Sequence, residues 1–177
     1  MPQNTDIIHF PKNRACFLDR DGVINIAYPG RYVSSISEFE MIEGVPGAIK
    51  LLNDAGYLVI VITNQQGVGK EEFSQATLED IHNYMMVEVE LQGARIDWVY
   101  FCPHIEGTCT CRKPKPGLFY KAAEDYNIDL EESLMIGDSI ADAQAAMAAG
   151  CNSVQIPANS PGLLRMLVKI ILEYGWH

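Results

Sequence analysis

The sequence predicts an α/β protein built on a doubly wound parallel sheet. Short apolar runs rich in β-branched residues end abruptly in polar ones, and segments of helical period stand between them. The chain has 177 residues, 48% hydrophobic and 20% charged, the size and balance of one globular domain covering residues 1–177.

Ala15-Cys16-Phe17-Leu18 is the first strand, apolar throughout as a buried parallel strand should be, and it stops at charge and glycine. A helix follows, with Pro46 at its start, Ile49 and Leu52 one turn apart and Gly56 as its stop. Residues 57–63, YLVIVIT, read as a central strand. Leu78, Ile81, Met85 and Val89 recur at steps of three and four, marking an amphipathic helix that closes near Gly93. Trp98-Val99-Tyr100-Phe101 is a third strand. Beyond a cysteine-rich loop come a helix over 116–126, a strand over 134–136, an alanine-rich helix ending at Gly150, a strand over 154–156 and a terminal helix.

Right-handed crossovers between such elements give a sheet covered on both faces, with ligands outside the carboxyl ends of its strands. The segments to inspect are therefore 19–22, 63–69, the loop after Phe101, and 137–142. Residues 22–43 carry no clear period and suggest a mobile flap over the site. No repeat, low-complexity tract or linker interrupts the pattern.

Formal net charge is −10, which removes the basic stripe that a nucleic-acid partner requires. An anionic ligand would need a local cationic pocket. The first fourteen residues mix Asp6, His9, Lys12 and Arg14 with short apolar runs, neither a signal-peptide core nor a membrane span. The expectation is a cytoplasmic monomer with no membrane partner.

Asp19-Arg20-Asp21-Gly22 sets two carboxylates two residues apart where a buried strand ends, so that both can face the crevice. One could attack phosphorus while the other moves protons; on the pair alone, a solvated turn is the stronger reading. Asp138 repeats the geometry at a later strand end, and Asp142 follows one helical turn on. Converging carboxylates suit a hard cation such as Mg²⁺, although Asp142 also reads as a first-turn acid favoured by the helix dipole. Thr63, Asn64 and Gln65 offer a hydroxyl and two amides to phosphoryl oxygens. The run to Gly69-Lys70 is no Walker A loop, because Asn64 stands at its first glycine and Glu71 at its Ser/Thr. Arg112-Lys113-Pro114-Lys115 is the local basic cluster.

Three of the five cysteines, Cys102, Cys109 and Cys111, crowd beside His104. A Cys₃His set suits tetrahedral zinc with no open position, hence a structural metal. Cys16 and Cys151 read as small buried hydrophobes.

Taken together, DRDGVIN at 19–25, TNQ at 63–65, RKP at 112–114 and Gly137-Asp138 resemble the haloacid dehalogenase phosphatases. The cysteine loop narrows the resemblance to the zinc-containing branch that holds heptose bisphosphate phosphatases and histidinol-phosphatases. The likeness runs over residues 15–156. It implies a Rossmann-like, capless fold with a short zinc-binding loop, Asp19 as nucleophile and Asp21 as acid/base. It further implies Mg²⁺ on the Asp19 and Asp138 carboxylates and the Asp21 carbonyl, a phosphoryl group held by Thr63 and Lys113, and substrate contacts from Asn64 and Arg112. The ligand would be a small phosphorylated metabolite. For a second phosphate Arg31, Lys70 and Arg112 are the candidates. Many relatives have Arg-Gly where this chain has Lys70-Glu71. A zinc-stabilised binding protein without catalysis is the rival class, and the presence of both Asp19 and Asp21 speaks against it.

Overall fold

The computed structural model describes residues 11–175, so most of the segment read above for a leader lies outside the described residues. The elements are β1 (Ala15–Leu18), α1 (Val45–Asp54), β2 (Leu58–Asn64), α2 (Gln66–Gly69), α3 (Gln75–Glu90), β3 (Trp98–Cys102), α4 (Gly117–Tyr126), β4 (Leu134–Gly137), α5 (Ile140–Ala149), β5 (Asn152–Gln155) and α6 (Leu163–Tyr174). The five strands form one parallel sheet in the order β3-β2-β1-β4-β5. The chain winds outward from β1 to β3 and then returns to β4 on the other side of β1. The β1/β4 boundary is therefore the topological switch point, where a crevice opens above the strand ends. Among the described residues no helix is long and apolar enough to cross a membrane.

Strand side chains alternate between two cores. Cys16, Leu18, Val59 and Val61 face α1, α3 and α6 through Ile49, Leu52, Ile81, Met85, Leu164 and Val168. Ala15, Phe17, Ile60 and Ile62 face α4 and α5 through Leu118, Phe119, Ala145 and Ala146. Burial on both faces explains why the strands read as unbroken apolar runs. Phe17 meets Phe119 edge to face at 4.9 Å. Cys16 and Cys151 are buried. The alanines of α5 give that helix a shallow face that lies close on β4 and β5.

Two helix starts are written plainly in the sequence. Ser74 accepts a hydrogen bond from the Thr77 amide at 3.0 Å and begins α3. Ser139 and Asp142 form a reciprocal capping box that begins α5.

Three details depart from the sequence expectations. Residues 22–43 are not a free flap: Val23, Ile24, Val33, Phe39 and Ile42 are buried in the α1/α3/α6 core. The Ile26 amide donates to the Glu40 carbonyl and the Ile42 amide to the Ile24 carbonyl, and Asn159 clamps both backbone groups of Ala27. The tip around Gly30 and Arg31 stands in solvent, as do Ile36, Ser37, Glu40 and Glu43. β5 starts two residues and ends one residue before the expected 154–156, because Leu134 to Gly137 pair with Asn152 to Gln155. The four residues of α2, two of them glycine, are too few to show a helical period.

Candidate active site

Asp19 leaves β1 with its amide still donating to Ile136 of β4, which fixes its backbone across the switch point. Its side chain is 13% exposed, and Oδ1 lies 2.9 Å from Lys113 Nζ. Lys113, buried, is also 2.5 Å from Asp142 Oδ1 and donates to the Ile62 carbonyl at 2.7 Å. Lys113 is placed by Asn64, whose amide nitrogen donates to the Lys113 carbonyl and whose oxygen accepts the Lys113 N–H, both at 3.0 Å. The second oxygen of Asp142 accepts from the Ser139 amide and hydroxyl, at 3.0 and 2.6 Å. The helix cap and the lysine partner are thus one residue.

Two glycines make this convergence possible. A Cβ on Gly22, whose φ is +92°, would fall 2.2 Å from Asp138 Oδ2. One on Gly137 would fall 2.4 Å from the Asp142 Cβ. Any side chain there would push a carboxylate out of the crevice.

The electrostatics carry a surplus of negative charge. Burial, with help from Asp142, raises the Asp19 carboxyl to about 7 against the pull of Lys113. Burial and then Asp142 raise Asp138 as well. Lys113 is held above its ordinary value, because Asp19 and Asp142 outweigh the cost of burying the ammonium. One lysine does not balance three carboxylates, and Asp19, Asp138 and Asp142 each present an oxygen within 4.8 Å of the others. That set could hold a hard cation. With both Asp142 oxygens engaged and Asp19 Oδ1 held by Lys113, Asp19 Oδ2 and the Asp138 carboxylate are the oxygens that could take it.

Asp21 behaves differently. Its Oδ1 receives Arg20 Nη2 at 2.8 Å, Arg20 Nε at 3.2 Å and Asn25 Nδ2 at 2.9 Å. Oδ2 receives Arg20 Nη2 at 2.9 Å and Gln65 Nε2 at 2.7 Å. Burial would raise this carboxyl, yet Arg20 and the donated hydrogen bonds win and lower it.

Several residues expected at the substrate are engaged elsewhere. Asn64 serves Lys113, as above. Gln65 is fully buried and also donates to Thr63 Oγ1 at 2.9 Å. Arg31 pairs with Glu38 at 2.8 Å and lies over the Tyr28 ring. Lys70 lies over the Tyr32 ring. Arg112 differs, because its Nη1 is buried with no hydrogen-bond partner. Sequence reasoning assigned nothing to Arg20, His82 or Asn25. An arginine between two aspartates at the end of an apolar strand was the one available signal for the first.

Glu71 occupies the left-handed region at φ +60°. Its amide donates to the Val68 carbonyl and that of Glu72 to the Gly67 carbonyl. These are the two bonds of a Schellman motif ending α2, with Glu71 where glycine is favoured. Glu71 thus holds a backbone conformation that glycine adopts more readily.

Beyond β3, Cys102 Sγ lies 3.5 Å from His104 Nδ1, 3.5 Å from Cys109 Sγ and 3.2 Å from Cys111 Sγ, and His104 Nδ1 lies 3.3 Å from Cys111 Sγ. This second cluster could hold a metal ion. It ends one residue before Arg112.

Among the described residues, a parallel sheet carries an acidic, lysine-bearing crevice at its switch point with no large cap over it, an arrangement that suits an α/β phosphatase. The chain belongs to the haloacid dehalogenase-like hydrolases, whose family model matches residues 8–150. It is 45% identical over 148 residues to the D-glycero-beta-D-manno-heptose-1,7-bisphosphate 7-phosphatase of Rhodopseudomonas palustris, covering 79% of this chain and 81% of that one. It is 39% identical over 138 residues to the D-glycero-alpha-D-manno-heptose-1,7-bisphosphate 7-phosphatase of Campylobacter jejuni, covering 78% of each. The solved D,D-heptose 1,7-bisphosphate phosphatase of B. bronchiseptica, complexed with magnesium and phosphate, superimposes with a TM-score of 0.81 at 32% identity, over 90% of this chain and 98% of that one.

Proposed function

We propose that this enzyme removes the 7-phosphate of D-glycero-D-manno-heptose 1,7-bisphosphate through an aspartyl-phosphate on Asp19, a step of carbohydrate metabolism. The observation that carries the mechanism is the Asp19–Lys113–Asp142 triad, in which a half-buried carboxylate is held by a buried lysine at the switch point. The relatives named above support the substrate.

A carboxylate oxygen of Asp19 forms a bond to phosphorus as the bond from phosphorus to the sugar O7 breaks, and Asp21, which must first take up a proton against the pull of Arg20, gives that oxygen the proton. Asp21 then takes a proton from water, which attacks the aspartyl-phosphate and frees inorganic phosphate and Asp19. Lys113 and the Thr63 hydroxyl hold the phosphoryl oxygens. Asn64 orients Lys113, and Gln65 orients Asp21. Arg112, with its unpartnered buried Nη1, is the candidate for the distal phosphate. Arg31 reaches a substrate only by leaving Glu38. The Asp19 and Asp138 carboxylates, with the Asp21 carbonyl, would hold Mg²⁺, which when bound neutralises charge on the transferring group.

Cys102, His104, Cys109 and Cys111 would hold structural zinc. Zn–S bonds of about 2.3 Å space tetrahedral ligands by about 3.7 Å, close to the separations among these four. The free thiols support a reducing compartment, the cytoplasm. A one-domain monomer is the simplest assembly for such a site.

Phosphate release from heptose 1,7-bisphosphate and from histidinol phosphate, with and without Mg²⁺, tests this function. A higher kcat/KM on the heptose is expected. A preference for histidinol phosphate would overturn the substrate, and release independent of Mg²⁺ the mechanism.

A further inference from the structure

Arg20 is fully buried, and its side chain is shared between two partners. Nε and Nη2 grip Asp21, whereas Nη1 lies 3.1 Å from Nε2 of His82, which comes from α3 sixty-two residues away. Arginine carries donors only, so this contact requires a lone pair on His82 Nε2, and the ring proton then sits on Nδ1. His82 is 5% exposed and packs beside the Phe101 ring at 5.6 Å. Burial, reinforced by Arg20, pushes its pKa down to about 3, so the imidazole is neutral. A neutral, wedged imidazole is a rigid acceptor. It satisfies one of the two Nη1 N–H groups that Asp21 does not reach, and so fixes the plane of the fork.

We propose that His82 and Arg20 are positioning residues for Asp21, a buried relay in which the helix α3 imidazole orients the guanidinium and the guanidinium orients the carboxyl group toward the leaving oxygen. The relay rests on the acid/base role given to Asp21 above. It serves both proton transfers of Asp21, of which kcat/KM reports only the first, the protonation of O7, and it leaves the attack of Asp19 untouched.

That selectivity provides the test. A sugar alkoxide needs the proton to leave, whereas 4-nitrophenolate leaves without it. kcat/KM, which reports the first irreversible step, is measured for heptose 1,7-bisphosphate and for 4-nitrophenyl phosphate in the parent, His82→Phe and His82→Gln. His82→Phe keeps the ring and removes the acceptor. The expectation is a loss of roughly 10- to 100-fold on the heptose and less than about threefold on the aryl ester. His82→Gln, which restores an acceptor oxygen, should recover most of that loss.

Equal losses on both esters would mean a role in packing alone, and no loss on either would mean no role; each overturns the relay. Should His82→Phe not fold, ¹⁵N NMR of the parent decides: an unprotonated Nε2 on His82 at neutral pH is expected, and a protonated one overturns the relay. A parent that hydrolyses neither ester would instead sink the phosphatase reading itself, an outcome the NMR result does not share.

Discussion

The crevice above β1 and β4 and the cysteine loop beyond β3 are both polar clusters at strand ends, and they are built on opposite plans. The crevice gathers hard oxygen ligands around a buried lysine and retains uncompensated negative charge. The loop gathers four soft ligands at near-tetrahedral spacing and so leaves no place for a substrate. An unsaturated set can accept a phosphoryl group and release it; a saturated set can only hold its chain in shape. The two meet at Arg112 and Lys113, because the loop that Cys111 anchors delivers Lys113 to Asp19. Chemistry and architecture are thus separable by substitution.

The largest effect belongs to the crevice. Asp19→Asn is expected to cut Mg²⁺-dependent phosphate release by at least about 10⁴-fold while leaving the thermal midpoint essentially unmoved. Steady-state assays beside a melting curve check this; an active Asn variant would dissolve the division between the two regions. Cys109→Ser should do the reverse in order of cause. Metal analysis should show loss of about one equivalent of zinc, and denaturant unfolding a loss of several kcal/mol, with activity falling only as the loop loosens. Unchanged metal content and stability would show that the loop is not a zinc site.

Asp142→Asn falls between the two regions. It weakens the pairing of Lys113 and the capping box of α5 together. A roughly tenfold drop in kcat with about 1 kcal/mol of lost stability is expected. A full-strength kcat would show that Asp19 alone suffices to hold Lys113. The smallest effect lies at the end of α2. Glu71→Gly relieves a left-handed residue and should add about 0.5 kcal/mol of stability, with kcat unchanged. A gain or loss of activity there would mean that position 71 touches substrate after all.

Much of this was legible because it is local. The apolar runs of β1 and β2, the steps of three and four in α3, and Asp142 as a first-turn acid are properties of neighbouring residues, so period and spacing reveal them. The Cys₃His cluster spans only ten residues, and its chemistry needs no fold to be read. The flap expected over 22–43 failed for the converse reason. Val23, Ile24, Val33, Phe39 and Ile42 have no common period, so their shared burial against α1, α3 and α6 appears only when the chain is folded.

Which residues would do chemistry and which would aim them divides along the same line. By itself the sequence determined the α/β architecture, the acidic strand ends and the soft-ligand loop, since residue type and short-range order decide those. Only the tertiary structure decided that Asn64 holds Lys113 across 49 residues, that Gln65 and Arg20 hold Asp21, and that His82 stands behind Arg20. Except between the adjacent Arg20 and Asp21, these hydrogen bonds join segments far apart in the chain. Their specificity lies in distances of about 3 Å, which sheet register and helix docking set and residue order does not encode.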